Sequence, residues 1–133
     1  MLNTLAVQLA ALISLLALAL FIWVSLKVAS ARGKYGIKAP AISGHPDFER
    51  IMRVQVNTLE QLVPFLMGLW LCVLFLRPAL IADALGALWL VGRLWFALGY
   101  YSAANRRGPG FTIALLATLA LMVGALVGII LSF

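Results

Sequence analysis

Arg53, Asn57, Glu60 and Pro64 are spaced four, three and four residues apart, which sets them on one face of a helix. Arg50 and Gln61 flank that face. A second set, Arg93, Tyr100 and Arg107, repeats every seven residues and so also shares a helical face. The residue types limit the chemistry. Guanidinium groups suit carboxylates, which they can grip bidentately. A glutamate suits an ammonium group, and amides suit a peptide backbone. A tyrosine hydroxyl beside an arginine suits a thiolate, because a nearby cation lowers a thiol's pKa from its free value of about 8.5. A small anionic peptide with an amine and a thiol matches the whole set. An anionic lipid headgroup would use the same arginines, so the residues alone leave both open.

The elements that must hold these groups follow from composition. The chain has 133 residues, of which 65% are apolar and 11% charged. A water-soluble domain of this size buries only about 70% of its unfolded surface, too little to hide so much apolar area. A bilayer removes that constraint, and each spanning helix needs about 20 apolar residues. The pattern predicts an all-α membrane protein: a bundle of four transmembrane helices at about 5–30, 48–76, 80–104 and 110–131, forming one membrane domain over 1–133. The first apolar run is longer than the core of a secretory signal, and its basic residues follow it instead of preceding it. It therefore reads as a retained span. Asp47, just after Pro46, is the expected cap of the second helix. Pro64 lies inside that helix, and Arg77-Pro78 ends it.

Loop charge gives an orientation. Lys27, Arg32, Lys34, Lys38, Arg50 and Arg53 flank the first connection, and Arg106 and Arg107 lie in the third. The positive-inside rule puts both connections in the cytoplasm and both termini on the other side. The short loops point to a bacterial inner membrane. The net charge of +6 is explained by this asymmetry, and nucleic acid is not an expected partner. The single histidine, the single cysteine and the scattered acids form no metal-ligand set. His45 reads as a solvated loop residue, Cys72 as a small residue in an apolar run, and the tryptophans as interfacial or packing residues.

Arginines near helix ends can simply snorkel to lipid phosphates, which accounts for Arg50. Asn57 and Glu60 lie one to two turns deeper, where that explanation fails. An ionised residue at mid-membrane costs about 2.5–3.5 kcal/mol on insertion scales and usually faces the bundle interior. Arg93 is the deepest, roughly 16 Å below residue 104 at a 1.5 Å rise. It needs a partner, and Glu60 is the expected one.

The stretch Glu49-Arg50-Ile51-Met52-Arg53-Val54-Gln55-Val56-Asn57-Thr58-Leu59-Glu60 resembles the signature of the membrane-associated proteins in eicosanoid and glutathione metabolism. That family includes microsomal glutathione transferases, leukotriene C4 synthase and the 5-lipoxygenase-activating protein. Ser30-Ala31-Arg32, and Arg93-Leu94 followed by Gly99-Tyr100 and Arg107, extend the resemblance over essentially the whole chain. It implies a homotrimer with glutathione held between neighbouring subunits at the cytoplasmic side. By position, Arg53, Asn57, Glu60, Tyr100 and Arg107 would bind glutathione from one subunit, and Arg32 and Gln55 from the next. Arg107 resembles the residue that stabilises the thiolate, with Arg106 adjacent to it.

The resemblance implies a membrane-bound glutathione transferase or peroxidase acting on lipophilic electrophiles or hydroperoxides, with glutathione as co-substrate. Three positions depart from leukotriene C4 synthase: Gly33 replaces an arginine assigned there to the lipid-epoxide step, and Gln61 and Phe96 replace tyrosines that contact glutathione. The alternative within the family is a non-catalytic scaffold that binds lipid. A small multidrug exporter would need an acidic residue in the first helix, and none is there.

Overall fold

The computed structural model describes residues 2–133. It contains four long helices, α1 (Thr4–Tyr35), α2 (Pro46–Phe75), α3 (Leu80–Ser102) and α4 (Gly108–Ser132), with a 3-10 turn at Ala104–Arg106 before the last. All are long and apolar enough to cross a membrane. Large apolar side chains such as Leu15, Leu26, Val63, Met67, Val123 and Leu131 are exposed. Water would not tolerate apolar patches of that extent, whereas lipid solvates them.

The helix ends differ from the sequence reading for identifiable reasons. α1 runs past residue 30 to Tyr35. Arg32 and Lys34 occupy its last turn, where cations are favoured by the carbonyl end of the helix dipole. Gly36 then closes it at φ 66° with its N–H donated to the Arg32 carbonyl, the left-handed ending that glycine adopts freely. Gly33 therefore lies inside the helix, where an added Cβ would meet open space.

The cap of α2 is His45, not Asp47. The His45 Nδ1 accepts the Asp47 N–H at 3.1 Å, and Pro46 takes the first helical turn, where its missing donor is not needed. Asp47 instead pairs with Arg50 at 2.9 Å. The His45 ring also stacks on Tyr35 at 4.3 Å. The residue is thus half-buried and ties the end of α1 to the start of α2, instead of being solvated. α2 passes through Pro64 and stops at Phe75, just short of Arg77-Pro78. α3 ends at Ser102 because Ala103 is extended, at φ −164°. α4 begins two residues earlier than its apolar pattern, with Pro109 accommodated in its first turn.

The core lies between α2, α3 and α4. Phe65 and Trp89 stack at 3.8 Å with their planes 2° apart, and Leu69, Cys72 and Leu121 pack fully buried around them. α1 joins by Ala6, Ala10, Ile13 and Ala17, and the Trp70 indole N–H reaches Ser14 Oγ at 3.0 Å. The most extensive packing is between α3 and α4. There the backbones nearly touch: a Cβ on Gly92 would come 2.8 Å from Ala114 N and 3.1 Å from the Gly110 carbonyl oxygen. Inside a bilayer, association relies on such close packing because lipid supplies no hydrophobic drive between helices.

This contrast makes a test. Gly92→Val should destabilise by about 1–3 kcal/mol or more, the usual penalty of overpacking. Gly33→Ala should be neutral or stabilising by up to about 1 kcal/mol, since alanine is the better helix former. Unfolding of detergent-solubilised variants by a denaturing detergent measures both, and equal midpoints would contradict the assignment.

Candidate functional site

A pocket of about 560 Å³ opens where α2, the end of α3 and the start of α4 meet. This falls within the range of about 300–1,000 Å³ typical of small-molecule sites. Its wall carries Arg53, Val56, Asn57 and Glu60 from α2, Phe96 and Tyr100 from α3, and Arg107, Gly108 and Phe111 from the start of α4. Five of the seven residues predicted from sequence thus come together: Arg53, Asn57, Glu60, Tyr100 and Arg107. Arg106 is not in the wall, which separates it from its neighbour Arg107.

Arg107 arrives by a route that the seven-residue spacing does not describe. It lies beyond α3, at the residue preceding α4. The chain folds back through the 3-10 turn, and Gly99 permits this because a Cβ there would collide with the Arg106 carbonyl oxygen. The Arg107 guanidinium then stands 5.4 Å from the Tyr100 ring centroid, within cation–π range. Tyr100 is 9% exposed, and Phe96 meets its ring edge-on at 5.6 Å. Gly110 also brings α4 close, since a Cβ there would overlap the Phe96 backbone nitrogen.

Arg93 is 1% exposed, and its partner is not Glu60. Its Nη1 donates to Asn57 Oδ1 at 2.9 Å, its Nη2 donates to Thr58 Oγ1 at 2.8 Å, and its guanidinium lies 4.1 Å from the Phe96 ring centroid. Glu60 is exposed on the pocket side of α2. Among the described residues neither Arg93 nor Glu60 forms an ion pair. Thr58 had no signal in the sequence beyond its place next to Asn57. Phe111 and Val56 had none, because apolar residues in an apolar helix do not announce a pocket.

Arg32 and Gln55 lie elsewhere. Arg32 Nη1 donates to the Ala41 carbonyl at 2.7 Å, and its guanidinium stands 5.3 Å from the Phe48 ring centroid. Gln55 Nε2 donates to Ser25 Oγ at 3.3 Å, on the α1 side of α2. The spacing explains this: two residues along a helix is about 200° of rotation, so Gln55 cannot share a face with Arg53 and Asn57.

The level of the pocket is marked by its neighbours. Trp23 meets Tyr101 edge-on at 5.9 Å, and Lys27 Nζ lies 5.6 Å from the Trp23 ring centroid. Aromatic and basic residues together are the composition of a membrane–water boundary. The pocket therefore offers two guanidinium groups, one carboxylate, an amide and a phenol beside apolar Val56, Phe96 and Phe111. Such a surface can hold a small zwitterionic or anionic molecule next to lipid. No group of histidine, cysteine, aspartate and glutamate that could hold a metal occurs among the described residues.

The family model of the MAPEG family matches residues 10–127. The chain belongs to the MAPEG family. Among similar proteins, the uncharacterized protein sll1147 of Synechocystis sp. is 50% identical over 120 residues, covering 90% of this chain and 87% of that protein. Microsomal glutathione S-transferase 2 of Bos taurus is 37% identical over 109 residues, covering 82% and 74%. Leukotriene C4 synthase of Bos taurus is 38% identical over 101 residues, covering 76% and 67%.

Arg53 and Arg107 are both exposed, and exposed substitutions away from structural features usually change stability by no more than about 0.5 kcal/mol. Arg53→Ala and Arg107→Ala should therefore keep the wild-type unfolding midpoint in detergent within that margin. A large fall in either would mean that the arginine holds the fold together instead of serving the pocket.

Proposed function

We propose that the protein is a membrane-bound glutathione transferase that activates the thiol of glutathione for attack on lipophilic electrophiles. The observation that carries this reading is the convergence of Arg53, Asn57, Glu60, Tyr100 and Arg107 on one pocket. Glutathione presents two carboxylates, an ammonium group, two peptide units and a thiol. Arg53 suits a carboxylate, Glu60 the ammonium, and Asn57 the peptide or a carboxylate. Tyr100 and Arg107 suit the sulfur, since a cation favours the thiolate.

In this mechanism the glutathione S–H loses its proton to water while Arg107 and the Tyr100 hydroxyl stabilise the negative sulfur. The thiolate attacks an electrophilic carbon delivered from the apolar side of the pocket. A carbon–sulfur bond forms, and the carbon–leaving-group bond breaks with its electron pair departing on the leaving group. With a hydroperoxide, the thiolate takes the terminal oxygen and releases an alkoxide. A second glutathione then reduces the sulfenic acid to give the disulfide and water. Holding a polar thiol and an apolar electrophile at one boundary supplies proximity.

We also propose that the active form is a homotrimer with the α1–α2 and α3–α4 connections facing the cytoplasm. Arg32 and Gln55 of one copy would then complete the pocket of its neighbour.

Purified protein should conjugate glutathione to an aryl chloride, and Arg107→Ala should lose about 10²–10³ of the rate, the usual effect of removing one donor to a developing anion. Equal, solvent-level rates for both proteins would sink the transferase reading, and lipid binding without turnover would favour a scaffold. The trimer has its own readout. Co-assembled Arg32→Ala and Arg107→Ala subunits should regain part of the activity that each homogeneous preparation lacks. Activity no higher than the two separate preparations would show that neighbouring copies do not share a site.

A further inference from the structure

Arg93 holds a full charge at 1% exposure and does not line the pocket, yet one of its two hydrogen bonds goes to Asn57, which does. A guanidinium has only donors. The atom that faces it must therefore be the amide oxygen of Asn57, and the amide nitrogen is turned to the other end of the planar group. That nitrogen makes no hydrogen bond among the described residues. The second bond, from Nη2 to Thr58 Oγ1 at 2.8 Å, and the Phe96 ring at 4.1 Å keep the guanidinium from swinging. Two adjacent residues of α2 are thus read by the two prongs of one planar fork. A lysine, with one compact ammonium group, could not reproduce that arrangement.

We infer that Arg93 is a positioning residue: it fixes Asn57 with its Nδ2 toward the pocket, so that the site takes ligands placing a carbonyl or carboxylate oxygen against Asn57. An unheld asparagine can present either end of its amide, donor or acceptor. The held one presents two donors to the pocket before any ligand arrives, so that no ordering of the side chain is needed on binding. The identity of the ligand as glutathione rests on the proposed function. The fixed orientation of Asn57 does not.

The test uses the full-length protein in detergent. Arg93→Met should raise KM for glutathione about tenfold while leaving kcat at saturation within about threefold, because Arg107 and Tyr100 still serve the sulfur. Thr58→Val keeps the charge and the shape but removes one anchor, and should raise KM about threefold. It also covers the case in which Arg93→Met does not fold. The two effects should not add in the double variant, as groups acting through one network do not. Unchanged KM in a folded Arg93→Met or Thr58→Val protein, or a fall in kcat at unchanged KM, overturns the proposal.

A second readout needs no ligand. The chain has three asparagines, Asn3, Asn57 and Asn105, so asparagine-specific nitrogen-15 labelling gives three side-chain amide signals, with Asn57 assigned by its loss in Asn57→Asp. The Asn57 pair should be dispersed in the wild type and collapse toward the free-amide position in Arg93→Met and partly in Thr58→Val. Signals that stay in place in both variants overturn the positioning role. If they move but wild-type protein shows no response to added glutathione, the positioning role stands and the glutathione reading is what falls.

Discussion

The guanidinium of Arg93 is closed off from solvent in the middle of a largely apolar helix, in a chain built to lie in lipid. A charge there has no water to fall back on. It must be met by groups the protein brings with it, or it costs several kcal/mol. The protein meets it with two oxygens from neighbouring residues of α2, Asn57 and Thr58, and with the face of Phe96. No carboxylate takes part among the described residues. Because both oxygens belong to α2 and the arginine to α3, satisfying the charge also fixes how far these helices can slide or rotate past each other. The register of the pocket wall is set by that one requirement.

The rest of the site is built outward along α3. Phe96 is shared between Arg93 beneath it and Tyr100 above it, and Tyr100 is in turn faced by Arg107. Two cations are thereby separated by two aromatic rings. The rings attract each cation with their negative faces while keeping the guanidinium groups apart. The inner one is sealed and structural in its contacts. The outer one is exposed and free to meet a ligand. Phe96 serves both neighbours through its ring alone, its face to Arg93 and its packing to Tyr100.

Composition and periodicity carry the architecture plainly, because a membrane-spanning helix needs only length and apolarity to be seen. The face made by Arg53, Asn57 and Glu60 is legible for the same reason: on a continuous helix, spacing is geometry. What spacing could not deliver was anything that depends on leaving the helix or crossing between helices. The seven-residue interval from Tyr100 to Arg107 passes through an extended residue and a 3-10 turn, so their proximity comes from the fold-back over Gly99 and not from a shared helical face. Opposite charge makes Glu60 the obvious complement of Arg93 in the sequence. The structure uses neutral oxygens, which leaves Glu60 free on the pocket side. The cap at His45 is not legible in the sequence because an imidazole nitrogen is a less common acceptor there than an aspartate.

α2 carries polar groups on two opposed faces within two turns. Arg53, Asn57 and Glu60 look into the pocket, while Gln55 looks back toward Ser25 and α1. Between these faces the exposed side chains are apolar, among them Leu59, Val63 and Met67. A helix with one polar face can be satisfied by its own bundle. A helix whose pocket face stays open, with Arg53 and Glu60 exposed, is satisfied only at a level where water or a polar ligand reaches it. That level is the one marked by Trp23, Lys27 and Tyr101. Placing the ionised groups of the site there avoids most of the cost of burying them, and Arg93, about two turns below Tyr100 on α3, has both of its Nη groups bonded to α2. Within this site the sealed guanidinium of Arg93 has its Nη groups met by α2 while the exposed Arg53 and Glu60 stay open to water or ligand, a division of labour that suits a protein whose solvent is lipid.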